Sequence, residues 1–295
     1  MRSIAIVTDS SAALPADFFA EATVSGGLAQ VDLPVSIAGQ PLEGLSSAEI
    51  DAAIVTAHVQ GEQVTTSGAS PGELIEVYER LASEGYAGII SIHLSGALSG
   101  TCDAARVAAD LVQLPVAVID SENLAMALGQ VVINLYRFTE NTDDLETAVE
   151  VAEDLCAAVK LFFFIPTLDA LKRGGRVAPA LAMVAQMFQI RPVATVLDGK
   201  LIYLERPRTT PKAIERLTEL TLDFSAEQAK GSHRFAAGVP APTGRVVAVH
   251  YCGNLLQAQE FQRSLGEPAE DAELLPLPPV LSAHSGLGAL AAVVY

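Results

Sequence analysis

"AGIISIHLSGALSGTCDAARVAADLVQLPVAVIDS" occupies residues 87–121. It opens with an apolar run and passes through a loop rich in serine and glycine. An alanine-rich stretch of helical pattern follows from about Gly100, and a second apolar run closes on Asp120-Ser121. Unbroken apolar runs, unlike alternating ones, mark strands covered on both faces. A strand, a helix and another strand in this order build a parallel sheet. The opening "IAIVTDS" (residues 4–10) repeats the pattern, with the same Asp-Ser ending. Ligands of such sheets lie beyond the carboxyl ends of the strands. Asp9-Ser10-Ser11, Thr65-Thr66-Ser67, Ser95-Gly96 and Asp120-Ser121 are polar segments at or near such ends. If their strands are parallel neighbours, the four segments converge on one rim.

The pattern extends outward from there. Helices are expected at 46–59, 124–139 and 144–159. Another begins at Ser70-Pro71-Gly72-Glu73, a capping box with proline at the first helical position. The texture changes near Val159. A strand and a short helix ending at Gly174-Gly175 come next, then a helix over 179–188. Two apolar runs flank Asp198-Gly199, a hairpin signal. A helix over 211–222, a polar loop over 225–244, the strand "RVVAVHY" and the helix "NLLQAQEFQRSL" follow. The expected fold is α/β with two domains: a mostly parallel N-terminal domain over 1–159 and a mixed C-terminal domain over 160–295.

Composition narrows the function. Half of the 295 residues are apolar, enough for a sizeable core, while 35 acidic residues against 18 basic ones give a net charge of −17. Nucleic acid and anionic membrane surfaces are poor partners for such a chain. An anionic ligand must be held by local groups against the overall field. Cys102, Cys156 and Cys252 are far apart and form no CxxC pair, so neither a metal site nor a disulfide framework is expected; a reduced cytoplasmic setting fits. The first apolar run is too short for a signal peptide, and no run of eighteen apolar residues predicts a membrane span. No phosphate-binding or dinucleotide glycine loop is present, so no nucleotide cofactor is expected.

The hydroxyls carry the chemistry. Thr66 and Ser67 precede a capped helix and read either as turn residues or as anion donors. Ser95, Gly96 and Ser99 stand at a strand-to-helix turn. Ser99 as helix cap explains one hydroxyl of the set. A cradle formed with the N–H groups of Gly96, Gly100 and Thr101 explains the rest. His284 follows an apolar run within a glycine-flanked turn, and His93 is apolar-flanked and reads as structural. Lys172, Arg173, Arg176, Arg191, Arg206 and Arg208 make the densest cationic stretch of an acidic chain.

In order along the chain, "TDSSA", "TTSGASPGE", "SGALSGTCDAA", "VIDS", "LDALKRGGRV", "RPVATVLDGKL…RPRT" and "AHSGLGAL" resemble the motifs of the DegV family. Each piece alone is weak, but the ordered set spans nearly the whole chain. Gly68-Ala69 stand where the family usually has Gln-Pro, and Gly96 replaces the second serine of Ser-Ser. Ser285 replaces threonine and Leu287 proline.

The resemblance implies a two-domain α/β protein that encloses a long-chain fatty acid such as palmitate or oleate, with the carboxylate near the domain junction. It implies the lipid-binding subunit of a bacterial fatty acid kinase, not catalytic alone. A separate ATP-dependent subunit phosphorylates the carboxylate, and the acyl-phosphate feeds phospholipid synthesis. At about 0.8 kcal/mol per buried methylene, a sixteen-carbon tail gains roughly 12 kcal/mol gross. Its carboxylate needs donors, because an unpaired buried charge is prohibitively costly. Thr66, Ser67, Ser95, Gly96, Ser99 and His284 are the expected ligand residues, with either Ser95 or Ser99 as the main donor of its loop. Arg208 best matches the family position tied to phosphoryl transfer; Arg176, in a loop-contacting position, is the second residue expected in phosphoryl transfer or partner contact. The competing reading is a self-sufficient hydrolase using Ser95 or Ser99 with His284. It lacks a G-x-S-x-G elbow and an aspartate clearly placed to orient the histidine.

Overall fold

The computed structural model describes residues 2–176, 190–231 and 238–295; the helix expected at 179–188 lies outside them. The chain begins β1 (Ile4–Asp9), α1 (Ala16–Ser25), β2 (Leu28–Val31), β3 (Val35–Ile37), β4 (Gln40–Pro41), α2 (Ser47–Gln60) and β5 (Val64–Thr66). Then come α3 (Pro71–Ser83), β6 (Gly88–His93), α4 (Thr101–Ala109), β7 (Val116–Asp120), α5 (Met126–Phe138) and α6 (Leu145–Ala158). It continues with β8 (Lys160–Phe164), α7 (Asp169–Arg173), β9 (Val193–Leu197), β10 (Lys200–Glu205) and α8 (Thr210–Gln228). The last elements are β11 (Val246–Tyr251), α9 (Leu255–Leu265), β12 (Glu273–Pro276), α10 (Pro279–Ser285) and β13 (Leu290–Val294).

The fold is α/β, with two compact units. The first holds the described residues up to 33, then 67–159 and 238–241; the second holds 34–66, the described residues of 160–231, and 242–295. The chain therefore passes between units more often than a single crossing at Val159 allows.

A parallel sheet of order β2-β1-β6-β7 organises the first unit. Every residue of β1 and β6 is buried, as their unbroken apolar runs require. The register pairs His93 with Asp120 and Val7 with Ser91, so the carboxyl ends of β1, β6 and β7 are neighbours. Three of the four polar segments thus share the edge of one sheet. The fourth does not. β5 pairs antiparallel with β3, Thr66 opposite Val35, in a separate three-stranded sheet. Only Val64 of β5 is buried, which suits a half-covered strand and not a central parallel one.

The second unit is built on a mixed sheet of order β10-β9-β8-β13-β11-β12. Its core includes Phe162, Phe164, Leu217 and Phe261. Asp198 and Gly199 both have positive φ, at 49° and 70°, and make the two-residue hairpin turn joining β9 to β10. α8 runs past the expected end at 222 to Gln228, into the stretch read as a polar loop. Its polar residues Thr221, Ser225 and Gln228 are buried, and the Ser225 hydroxyl donates to the Gly244 carbonyl. Satisfied hydroxyls let a polar sequence face the core. A smaller core joins Val35, Ile54, Ala57 and Val64 to Ala283 of α10. That packing ties residues 34–66 to the second unit.

Candidate functional site

α10 is short because two signals bound it. Pro278-Pro279 open it, and Gly286 leaves it at φ 75°. His284 lies in its last turn, one residue after the buried Ala283, so the imidazole meets the end of β5. Its Nε2 lies 2.8 Å from Thr66 Oγ1. The other ring nitrogen, Nδ1, is buried without a hydrogen-bond partner among the described residues. It abuts Gly174, where a Cβ would overlap Nδ1 and Cε1. Arg176 donates to the Gly174 carbonyl at 2.6 Å. Burial, and then the charges of Arg176 and His58, lower the His284 pKa from 6.5 to about 4. The ring is therefore neutral near pH 7. A neutral imidazole has one N–H. With the proton on Nε2, His284 donates to Thr66 and frees the threonine O–H for an anion. With the proton on Nδ1, Nε2 accepts from Thr66 instead.

The hydroxyl loop lies in the first unit. Ser95 is fully buried, Gly96 is exposed and Ser99 is half-buried. The Gly96 N–H, expected to face an anion, donates to both Asp120 carboxylate oxygens at 3.0 Å. A Cβ at Gly96 would stand 2.6 Å from Asp120 Oδ2, so glycine permits this approach. The Thr101 N–H is also engaged, by Ser99 Oγ at 3.3 Å. The cap position of α4 is Gly100, and Ser99 precedes it. Ser99 and Thr101 hydroxyls lie 2.9 Å apart. One donates to the other, which leaves one O–H proton of the pair for a further acceptor. Ser67 is exposed. Gly68 packs over this pair, its virtual Cβ 3.0 Å from Thr101 Oγ1 and 3.3 Å from Ser99 Oγ. Gly68 thus lies directly against the hydroxyl pair. The Thr101 side chain is a member of this hydroxyl set that the sequence marks only by its place as the fourth residue of "LSGT".

The cations divide. Arg176 reaches the histidine. Arg191 is anchored, donating to the Pro166 carbonyl through its side chain and to Pro207 O through its backbone. Lys172, Arg173, Arg206 and Arg208 are exposed. A cavity of about 490 Å³ lies between β7 and α6, lined by Val118, Ile119 and Val149 but also by Asp120, Glu122 and Glu153. Three carboxylates disfavour an anionic head group there. Among the described residues, no group of His, Cys, Asp or Glu side chains is arranged to hold a metal, and no helix is long and apolar enough to cross a membrane.

A parallel α/β unit and a mixed α/β unit, the second carrying a hydroxyl–imidazole pair, define a two-unit α/β protein. The chain belongs to the DegV family: the family's model matches residues 3–295. A DegV domain-containing protein of Streptomyces coelicolor is 35% identical, with 99% of this chain and 98% of that protein covered. One of Mycobacterium bovis is 31% identical over 99% and 97%. Among solved structures, a fatty-acid-binding DegV family protein from Thermus thermophilus aligns with TM-score 0.79 and 27% identity, covering 100% of this chain and 99% of that one. A fatty-acid-binding DegV family protein from Streptococcus agalactiae shares the fold, with TM-score 0.84 at 22% identity over 100% and 99%.

Proposed function

We propose that this protein binds a long-chain fatty acid, such as palmitate or oleate, and presents its carboxylate to a separate ATP-dependent kinase subunit. Phosphorylation there yields an acyl-phosphate for phospholipid synthesis; the chain is a cytoplasmic lipid-binding subunit and not catalytic alone. The observation that carries the reading is the Thr66–His284 pair, a half-buried neutral donor set in a strongly acidic chain. Ser95, and the Ser99 hydroxyl beside Thr101, are the donors assigned to the first unit, with Ser67 and Gly96 flanking them. Arg176 polarises the histidine side, and the exposed Arg208 serves phosphoryl transfer or partner contact. Membership of a family with fatty-acid-binding relatives supports the same reading.

The hydrolase alternative is disfavoured by the same histidine. A general base needs a group that orients its second nitrogen. His284 Nδ1 has no such partner among the described residues and abuts a glycine.

Organic extraction of purified protein followed by mass spectrometry tests the reading. Near-stoichiometric fatty acid is expected. Lipid-free protein that also takes up neither palmitate nor oleate refutes it.

A further inference from the structure

The first unit contains a buried polar chain that the hydroxyl loop does not explain. Tyr78, Ser91, His93 and Asp9 are each fully buried. Tyr78 OH lies 2.6 Å from Ser91 Oγ, and Ser91 Oγ lies 2.8 Å from His93 Nε2. His93 Nδ1 lies 3.0 Å from Asp9 Oδ2. The order Asp, His, Ser is that of a hydrolytic relay, but Ser91 Oγ is held between His93 and Tyr78 within the core, a structural link and not a free nucleophile.

Asp9 has further bonds. Its Oδ2 accepts from the Leu94 N–H at 3.0 Å, and its Oδ1 accepts from the Ser11 N–H at 3.1 Å and the Ser11 hydroxyl at 2.5 Å. Three donors converge on this carboxyl group, and His93 Nδ1 makes a fourth contact with it. With a neutral ring protonated on Nδ1, every contact of the carboxylate is served; Nε2 then accepts from Ser91, and Ser91 accepts from Tyr78. Asp9 closes β1, His93 closes β6, and Leu94 immediately precedes Ser95.

The following N–H groups are held as firmly. Ser95 N donates to Asn123 O at 2.9 Å, and Gly96 N donates to Asp120. Three successive N–H groups thus have internal acceptors, two of them carboxylates at the ends of β1 and β7. The backbone of this loop is spent on its own placement, and it sets the position of the Ser95 side chain, whose Oγ accepts from the Ala97 N–H at 3.2 Å.

We propose that Asp9, oriented through His93, is a positioning residue that places Ser95 for the ligand carboxylate. This rests on the fatty-acid reading above. It is tested by oleate titration calorimetry on delipidated protein in a double-mutant cycle. Asp9→Asn puts an amide N–H₂ where acceptors are needed and should raise Kd about tenfold, the usual loss for a bond to a charged group. In a Ser95→Ala background the same change should move Kd less than about twofold, because the group being positioned is gone. Tyr136→Phe removes another buried tyrosine hydroxyl of this unit, bonded to Gly26 O and remote from the loop. It should lower stability without moving Kd. Unchanged affinity in Asp9→Asn, or equal losses in both backgrounds, overturns the proposal.

Amide hydrogen exchange of the wild type gives a second reading if Asp9→Asn does not fold. Leu94, Ser95 and Gly96 should be protected with and without oleate; fast exchange in the lipid-free protein overturns a preset loop. Wild type that binds no oleate refutes the functional reading, while protected amides in that same protein would still show the loop to be fixed.

Discussion

Gly174→Ala is a sharp probe of the histidine site. Gly174 has φ −78° and ψ −7°, a conformation any residue adopts, so alanine imposes no backbone strain. By reducing the freedom of the unfolded chain it should even stabilise slightly. The obstacle is space. A Cβ at this position overlaps His284 Nδ1 and Cε1. Restoring van der Waals separation requires the ring to move on the order of 1 Å. The 2.8 Å bond to Thr66 then stretches past a normal hydrogen bond. A misplaced donor pair should cost about 2 kcal/mol of binding, roughly thirtyfold in Kd. Gly175→Ala is the matched control. Gly175 has φ 71°, and none of the described residues comes near its virtual Cβ. Alanine there should cost about 1 kcal/mol of stability through left-handed strain and leave affinity unchanged. Oleate titration and urea unfolding of both variants separate the two effects. Wild-type affinity in Gly174→Ala, or the same affinity loss in Gly175→Ala, refutes the reasoning.

Thr66→Val and Ser95→Ala should each raise the Kd for oleate about ten- to hundredfold, measured by titration; two silent variants would refute the assigned hydroxyls. Stability should fall as pH drops from 6.5 toward 4. Burial holds folded His284 at about 4, so the unfolded chain takes up the proton first, at a cost of up to about 3 kcal/mol that His284→Gln should abolish in urea midpoints across this range. Asp51 acts oppositely, because burial raises its folded pKa to about 6 and the unfolded chain ionises first as pH rises from 3.8. Asp51→Asn should therefore steepen the same profile. Arg208→Ala should leave oleate affinity intact while slowing acyl-phosphate formation with ATP and the kinase subunit by orders of magnitude; equal losses in both assays would refute that division.

What could be read in the sequence was local. The capping box at Ser70 and Glu73 is present with both reciprocal bonds, and Asp198-Gly199 makes its hairpin. Such signals involve residues one to three apart, so the local sequence alone exposes them. β5 was harder, because "VTT" is a short polar-ended strand whether it joins a parallel sheet or an antiparallel one. Its partner Val35 is 31 positions from Thr66, and no periodicity carries that distance. His93 looked structural because of its apolar neighbours, yet Asp9 lies 84 positions away across a β1–β6 register that the sequence does not print. Gly174 is the clearest case. In the sequence it is a helix stop; its fit against an imidazole 110 positions later exists only after folding.

The Thr66–His284 pair also explains how an acidic chain can hold an anion reversibly on the proposed reading. A buried arginine facing the carboxylate would bind strongly, but without ligand it would leave an uncompensated charge, a state that costs several kcal/mol. Thr66 and His284 have no such problem, since the pair is uncharged and Thr66 Oγ1 and His284 Nε2 partner each other when no ligand is bound. Arrival of a carboxylate requires only that the threonine hydroxyl turn outward while the ring proton settles on Nε2, a neutral rearrangement with no net charge to desolvate. The same neutrality limits how tightly the more highly charged acyl-phosphate is retained, because nothing in the pair answers a second negative charge. Cationic help is then needed only during phosphoryl transfer, and the exposed Arg208 is a group that can supply it without tightening the ground state.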